Sequence, residues 1–207
     1  MKTVKKFAIL GLVLMVFSDA SSQRPGSLPP EPPQGQDQLP PGWYKADFGD
    51  YSEPGTVLYD EATGRWTIDF PSISGPNSVY VYTFLKGAGQ ITARVHDIGA
   101  FVEIRESLDG SSKRVGVELE TTVPSRVDKP FETYADASFY GTGTENIDKD
   151  RIVLPYWLRI ERIGDTFTGY ISSDGEPDSW VRIGSTTISM IPYTSYIGMG
   201  SKQQSRV

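Results

Sequence analysis

Residues 155–175, PYWLRIERIGDTFTGYISSDG, restrict the possible folds of this chain more than any other stretch. Apolar and polar residues alternate along it on both sides of the dipeptide Gly164-Asp165. Gly adopts a positive φ without strain and Asp tolerates the left-handed region, so this dipeptide predicts a tight turn. The stretch therefore predicts a β-hairpin in which Arg159 lies opposite Tyr170.

The hairpin has two chemically different faces, because successive side chains of a strand point to opposite sides of a sheet. One face is apolar and predicts a core, formed by Leu158, Ile160, Phe167 and Ile171. The other face carries Trp157, Arg159, Glu161, Thr168 and Tyr170. We expect this second face to be either a solvated wall or the floor of a binding groove.

Residues 43–207 have a length typical of one domain and an all-β pattern. Thr, Val, Ile and Tyr are frequent, and Gly and Pro interrupt every candidate helix. Short strands separated by turn residues at this spacing predict a two-sheet antiparallel β-sandwich or jelly roll. The candidate strands are residues 56–60, 65–70, 78–84, 90–97, 100–106, 113–121, 132–139, 155–163, 166–173, 179–184, 186–191 and 194–200.

Residues 1–20 have the pattern of a secretory signal peptide. Three lysines precede an apolar run of 11 residues, and small residues around Ala20 offer cleavage sites. The run is about half of the roughly 20 apolar residues that a membrane span needs. We therefore expect a secreted protein, extracellular or periplasmic, with no membrane insertion after the leader is removed. Residues 21–42 contain seven prolines and predict either an extended linker or a disordered tail.

The composition excludes several classes of function. Removing the leader reduces the basic residues from 20 to 17 and the acidic residues from 26 to 25. Such an acidic chain is a poor ligand for phosphate backbones, so we expect no nucleic acid partner. The chain contains no Cys and a single His, His96. This excludes thiol catalysis and zinc sites that use several imidazoles.

Two further strands alternate in the same way as the hairpin. In residues 100–106, Glu103 and Arg105 point away from the predicted core, as do Arg114 and several acidic residues of 113–121. If these strands share one sheet with the hairpin, their outward side chains form one polar surface with aromatic rings in it. Such a surface suits sugars, because a flat ring contacts a pyranose and charged groups bind its hydroxyls. The candidate ligand-binding residues are Trp157, Arg159, Glu161, Tyr170, Glu103 and Arg105, with Trp157 as the stacking platform.

Four segments together resemble a known family: ITARV (91–95), AFVEIRESLD (100–109), the hairpin and SYIGMG (195–200). They are similar to bacterial secreted domains of the concanavalin A-like lectin/glucanase superfamily, in particular the "regulation of enolase" type. The resemblance implies a jelly roll of two antiparallel sheets. It also implies an accessory glycan-binding module or, in the wider superfamily, a glucanase.

The C-terminal end departs from this family pattern. Similar domains finish with a further strand after the segment that matches residues 196–200. Here the chain stops at Val207. The resemblance therefore predicts either a missing segment or a sheet without its closing C-terminal strand, which would leave an exposed edge.

Carboxylates offer two alternative sites. Glu118 and Glu120 lie two residues apart on one predicted strand, about 6.6–6.8 Å between Cα atoms, which is a separation compatible with glycoside hydrolysis. The Glu-x-Asp-x-x-Glu motif of the superfamily's glucanases is absent, and neighbouring arginines would lower a catalytic pKa instead of raising it. Asn146, Asp148 and Asp150 alternate like the start of a calcium loop, without its turn Gly and its closing Glu.

These observations favour a secreted, non-catalytic carbohydrate-binding module. We expect a monomer that binds a glycan or another cell-envelope component and uses no cofactor, with Ca²⁺ at residues 146–150 as an alternative. A glycoside hydrolase on the same fold and a cell-surface protein-interaction module remain the competing functions.

Overall fold

A computed structural model describes residues 5–10, 39–49, 54–70, 78–122, 134–140, 145–146, 152–188 and 194–202. Residues 5–10, 121–122, 134–138 and 145–146 are described by their backbone. The described residues form fourteen strands and one short 3-10 helix, Pro177–Ser179. The strands are β1 (Lys5–Leu10), β2 (Tyr44–Phe48), β3 (Thr56–Asp60), β4 (Arg65–Phe70), β5 (Ser78–Lys86), β6 (Gly89–Val95), β7 (Ala100–Arg105), β8 (Arg114–Thr122), β9 (Tyr134–Tyr140), β10 (Glu145–Asn146), β11 (Tyr156–Ile163), β12 (Thr166–Ser172), β13 (Val181–Thr187) and β14 (Thr194–Lys202).

The strands form two antiparallel sheets, which confirms the all-β prediction. Sheet A has the order β13-β12-β11-β6-β1-β4-β3, and sheet B has the order β10-β9-β8-β7-β14-β5-β2. Apolar residues at alternate positions of both sheets meet in one core, as expected for a sandwich-like arrangement. The fully buried members include Ile68, Val81, Ile91, Val102, Val117, Leu158, Ile160, Phe167 and Ile197.

The hairpin has the turn and register that its sequence predicts. Gly164 adopts φ 62° in the turn, and Arg159 pairs with Tyr170. Leu158, Ile160, Phe167 and Ile171 are all buried in the core, between 0 % and 2 % exposed. The local pattern was therefore sufficient to place this element, because a one-residue slip would have turned its apolar residues outward.

A buried arginine connects the hairpin to the opposite sheet. Arg162 is 4 % exposed, and its Nη1 donates to Ser195 Oγ of sheet B at 3.1 Å. Its Nε donates to the carbonyl oxygen of Gly164 at 3.0 Å. The guanidinium also lies 5.3 Å from the ring centroid of Phe167, so the turn end of the hairpin is fixed against sheet B.

The structure differs from the predicted strands at three places. The strand β13 continues past the end of the predicted strand 179–184 to Thr187, residues 177–179 form a 3-10 helix before it, and residues 189–191 of the predicted strand 186–191 lie outside the described residues. The strand β2 and the two-residue β10 were not among the candidates, since neither has a long alternating pattern. The strand β1 lies within the predicted leader and pairs with β4 and β6. No helix among the described residues is long and apolar enough to cross a membrane.

Candidate functional site

The six predicted ligand-binding residues do not share one face, so that expectation was wrong. Trp157, Arg159, Glu161 and Tyr170 lie on β11 and β12 of sheet A, whereas Glu103 and Arg105 lie on β7 of sheet B. Each set points away from the core that separates the two sheets. The two sets therefore occupy opposite outer faces. The error arose because alternation predicts the orientation of a side chain but not the sheet to which its strand belongs.

The sheet A residues pack against one another and against a neighbouring loop. The indole of Trp157 lies against Gly175, where an added Cβ would come within 2.8 Å of Trp157 Cε2. The Arg159 guanidinium lies 3.6 Å from the ring centroid of Trp180, and its Nε donates to Thr92 Oγ1 at 3.2 Å. Trp157 is therefore a packing residue on sheet A and is a poor candidate for a free stacking platform.

On the outward-facing side of sheet B, aromatic rings pack directly against glycines of the strands. We call this side the sheet B outer face; its members are Tyr80, Tyr82, Phe101, Glu103, Arg105, Arg114, Glu118, Tyr140 and Lys202. Gly116 pairs with Glu103 on one side and with Tyr140 on the other. A Cβ on Gly116 would meet the Tyr140 hydroxyl at 2.5 Å.

The same arrangement recurs on β14, which is separated from β8 by β7. A Cβ on Gly198 would meet the ring of Tyr80 at 2.8 Å, and one on Gly200 would collide with the ring of Phe101. The rings of Tyr80 and Phe101 stack with centroids 6.2 Å apart and an interplanar angle of 19°. The glycines thus allow large rings to lie flat on the sheet.

Glu103 lies at the centre of this face and is fully buried, at 0 % exposed. Its Oε1 accepts from Arg105 Nη1 at 2.9 Å, and its Oε2 accepts from the Tyr140 hydroxyl at 2.7 Å. Arg114 Nη1 lies 3.6 Å from the same Oε2. The Tyr80 hydroxyl donates to the backbone oxygen of Glu103 at 3.1 Å. A buried carboxylate needs such partners, because an isolated buried charge is very costly.

Arg105 holds the loop that follows β7. Its Nε donates to the carbonyl oxygen of Ser107 at 3.2 Å, and its Nη2 donates to the carbonyl oxygen of Asp109 at 2.8 Å. The guanidinium lies 4.2 Å from the ring centroid of Phe48 on the edge strand β2. At 1 % exposed, Arg105 organises the face and is not available to a ligand.

Two partly exposed cations lie beside the buried residues of the sheet B outer face. The side chain of Arg114 is 37 % exposed and that of Lys202 is 30 % exposed. Both lie near the ring of Tyr140, with Arg114 at 5.3 Å and Lys202 at 5.4 Å from its centroid. Lys202 also forms an ion pair with Glu118. A ligand on this face can therefore reach these two cations and also the carboxylate of Glu120, which is exposed on the same side of β8.

Burial changes the acidity of several groups on this face. Burial raises the pKa of Glu118, and this effect outweighs the opposing influence of Lys202. The pKa of Tyr140 is raised well above its ordinary value, first by burial and then by Glu103. The Tyr80 pKa is raised for the same two reasons. Both phenols therefore remain hydrogen-bond donors at any physiological pH.

An aromatic patch continues from this face toward β2 and β5. The ring of Tyr82 packs 5.3 Å from Tyr196 and 5.7 Å from Tyr44, centroid to centroid. Tyr44, Phe84 and Tyr196 are partly exposed, whereas Tyr82 is 0 % exposed. Among the described residues the buried Tyr82 hydroxyl has no hydrogen-bond partner. The patch thus combines accessible ring surface with one unsatisfied hydroxyl.

The two carboxylates predicted as a catalytic pair, Glu118 and Glu120, differ in their exposure to solvent. Glu118 is 2 % exposed and belongs to the sheet B outer face, whereas Glu120 is exposed. The register places Glu118 opposite Phe101 and Gly116 opposite Glu103. Glu118 and Glu103 are therefore diagonal neighbours on adjacent strands, a relationship that places Cβ atoms within about 7–8 Å.

The candidate calcium residues lie largely outside the described part of the chain. Asp148 and Asp150 are not among the described residues, and Asn146 is described only by its backbone in β10. Within the described ranges, no group of three or more His, Cys, Asp or Glu side chains could hold a metal ion.

Sequence reasoning missed Tyr140, Tyr80 and Lys202 as parts of this site. A signal was present in the glycines of β8 and β14, because a Gly at an outward strand position often marks a close approach by another group. The partner that approaches each glycine depends on strand order, which local alternation does not provide.

No protein-family model matches this chain, and no curated protein matches its sequence. The sheet B outer face is therefore the best guide to function.

Proposed function

We propose that this protein is a secreted carbohydrate-binding module of the jelly-roll type, which binds its glycan on the sheet B outer face. One observation carries the proposal. The partly exposed ring of Tyr140 lies beside two partly exposed cations, Arg114 and Lys202, above buried charges that have hydrogen-bond or ion-pair partners. The resemblance of residues 80–200 to lectin-like domains supports the same conclusion.

The side chains of this face are chemically complementary to a sugar. Aromatic rings contact the C–H face of a pyranose, while a few fixed polar groups select its substituents. The buried charged residues of this face are held by hydrogen bonds and ion pairs. The site is therefore organised before the ligand arrives, which reduces the entropy cost of binding. Arg114 and Lys202 can each form charge-assisted hydrogen bonds to a carboxylate, so a glycan that carries carboxylates should bind beside them more tightly than a neutral one.

Affinity electrophoresis through gels that contain a uronic acid polysaccharide or a neutral glucan tests the proposal. We expect the uronate gel to retard the wild type and the Arg114→Gln variant to lose most of this retardation. Glu103 keeps Arg105 and Tyr140 as partners in that variant, so its fold should persist. Arg182→Gln is the matched control, because Arg182 is exposed on β13 of sheet A. Equal migration of wild type and Arg114→Gln in every gel would refute the proposed site.

Glycoside hydrolysis is a second candidate, favoured by the raised pKa of Glu118. A general acid needs such a raised pKa, and a second carboxylate must lie nearby. Glu103 provides that carboxylate in the diagonal position described above. Reducing-end release from the retained glycan distinguishes the two functions: an enzyme releases sugar and loses this activity in Glu118→Gln. A binding module retains the glycan and releases none.

A further inference from the structure

The strand β1 occupies a central position in sheet A. All six of its residues pair with β4, from Lys5 opposite Phe70 to Leu10 opposite Arg65. Two of them, Ile9 and Leu10, also pair with β6 on the other side. Within the described residues β4 and β6 are not neighbours, so the β3–β4 hairpin joins the rest of sheet A through β1.

The same segment lies inside the predicted leader, in its basic and apolar parts. Adjacent strands lie about 4.7–4.9 Å apart, so a sheet that loses one internal strand is left with a gap of about 9.4–9.8 Å. Both sides of such a gap present unpaired backbone donors and acceptors, which are a template for another strand. Trp66, Ile68 and Val95 pair with β1 and are at most 2 % exposed when it is present. Loss of β1 would therefore expose these core residues.

The register defines the chemistry of the segment that fills this gap. Phe7 pairs with Ile68, and Ile9 pairs with both Trp66 and Val95. Directly opposite residues of neighbouring strands lie on the same face of a sheet. The filling strand therefore needs apolar residues at these two alternate positions, which KKFAIL supplies.

We propose that the gap between β4 and β6 is a strand-acceptor site whose occupant is Lys5–Leu10 of the same chain. The leader then has a second function, since it completes sheet A until it is removed. Removal opens a site for an extended peptide that is antiparallel to β4 and has the same alternation. Backbone hydrogen bonds supply affinity in this mode of recognition, and alternate side chains supply specificity.

Disulfide trapping in the full chain tests the proposed occupancy, because the chain has no Cys of its own. Ala8 pairs with Thr67, and Thr67 pairs with Leu58 on the next strand. The double variant Ala8→Cys/Thr67→Cys should oxidise rapidly to a monomeric, internally crosslinked product. Ala8→Cys/Leu58→Cys is the matched control, because β4 lies between its cysteines and two strand spacings exceed the roughly 7 Å between Cα atoms that a disulfide tolerates. Equal oxidation rates, or crosslinks between chains only, would overturn the proposal.

A second experiment measures whether an added peptide displaces the leader segment from the site. A protease site introduced into residues 21–38 of the full chain allows the leader to be cut while it occupies the site. We expect the cut segment to remain bound and to be displaced by the synthetic peptide KKFAIL. The same peptide with the changes Phe7→Lys and Ile9→Lys should not displace it. Immediate loss of the cut segment without uptake of KKFAIL, or equal displacement by both peptides, would contradict a strand-acceptor site.

Discussion

Tyr140 donates a 2.7 Å hydrogen bond to Glu103 across a complete intervening strand. The strand between them is β8, and the residue of β8 beneath the bond is Gly116. A side chain at this position would block the phenol from the carboxylate. One glycine therefore allows β7 and β9, which are not neighbours, to share a buried charge network.

Removing this bond should destabilise the protein. Tyr140→Phe deletes the hydroxyl and leaves Glu103 Oε2 with Arg114 as a longer ion pair. A hydrogen bond to a charged group contributes about 1.5–3 kcal/mol, so we expect a loss of that size in the free energy of unfolding. Urea denaturation measures it. Tyr170→Phe is the control, since its hydroxyl is 3.5 Å from Glu161 Oε2 and its loss should cost less than about 0.5 kcal/mol. Equal losses in the two variants would show that the buried bond has no special role.

Adding a side chain at Gly116 should also destabilise the protein, in this case by overpacking. Gly116→Ala introduces a Cβ that meets the Tyr140 hydroxyl at 2.5 Å and the carbonyl oxygen of Val102 at the same distance. Overpacking of this kind costs about 1–3 kcal/mol. Thermal unfolding of Gly116→Ala should show a lower Tm than that of Gly110→Ala, because a Cβ on Gly110 meets nothing within 4 Å. A Tm for Gly116→Ala that equals the control would mean that the ring does not lie where we describe it.

Glu118 should make stability fall with rising pH. Burial raises the pKa of this carboxyl in the folded state above its ordinary value of 4.5. The folded protein then binds the proton more tightly than the unfolded chain, so the free energy of unfolding decreases as pH rises through the interval between the two pKa values. Above that interval the loss is complete and constant.

The variant Glu118→Gln isolates this effect from other titrating groups. We expect its free energy of unfolding, relative to the wild type, to increase as pH rises from about 4 through the raised pKa. Denaturant unfolding at a series of pH values measures the difference. Parallel profiles for the two proteins would contradict a raised pKa at Glu118.

Trp157→Ala should separate stability from glycan binding. Its indole packs on Gly175 in sheet A, on the side of the molecule opposite Arg114. We expect the variant to unfold at a lower temperature and to be retarded in the uronate gel as strongly as the wild type. Loss of retardation in a folded Trp157→Ala protein would place the glycan on sheet A instead.

Local structure was more predictable than the site. The hairpin turn at Gly164 and the core positions of Leu158 and Ile160 follow from alternation and turn chemistry, which depend on neighbours in the sequence. The joining of Glu103 to Tyr140 depends on strand order, a property of the whole chain. Periodicity therefore predicted correctly that Glu103 faces away from the core. It could not predict that the hairpin and β7 belong to different sheets.

The position of β14 also affects how the chain can fold. It pairs with β5 along nine residues and with β7 along six, although β5 and β7 precede it by about a hundred residues. Contacts between such distant segments require closure of a long loop and slow the folding reaction. Among the described residues β14 is the strand that joins β5 to β7, so sheet B cannot close until residues 194–202 have taken their place between them.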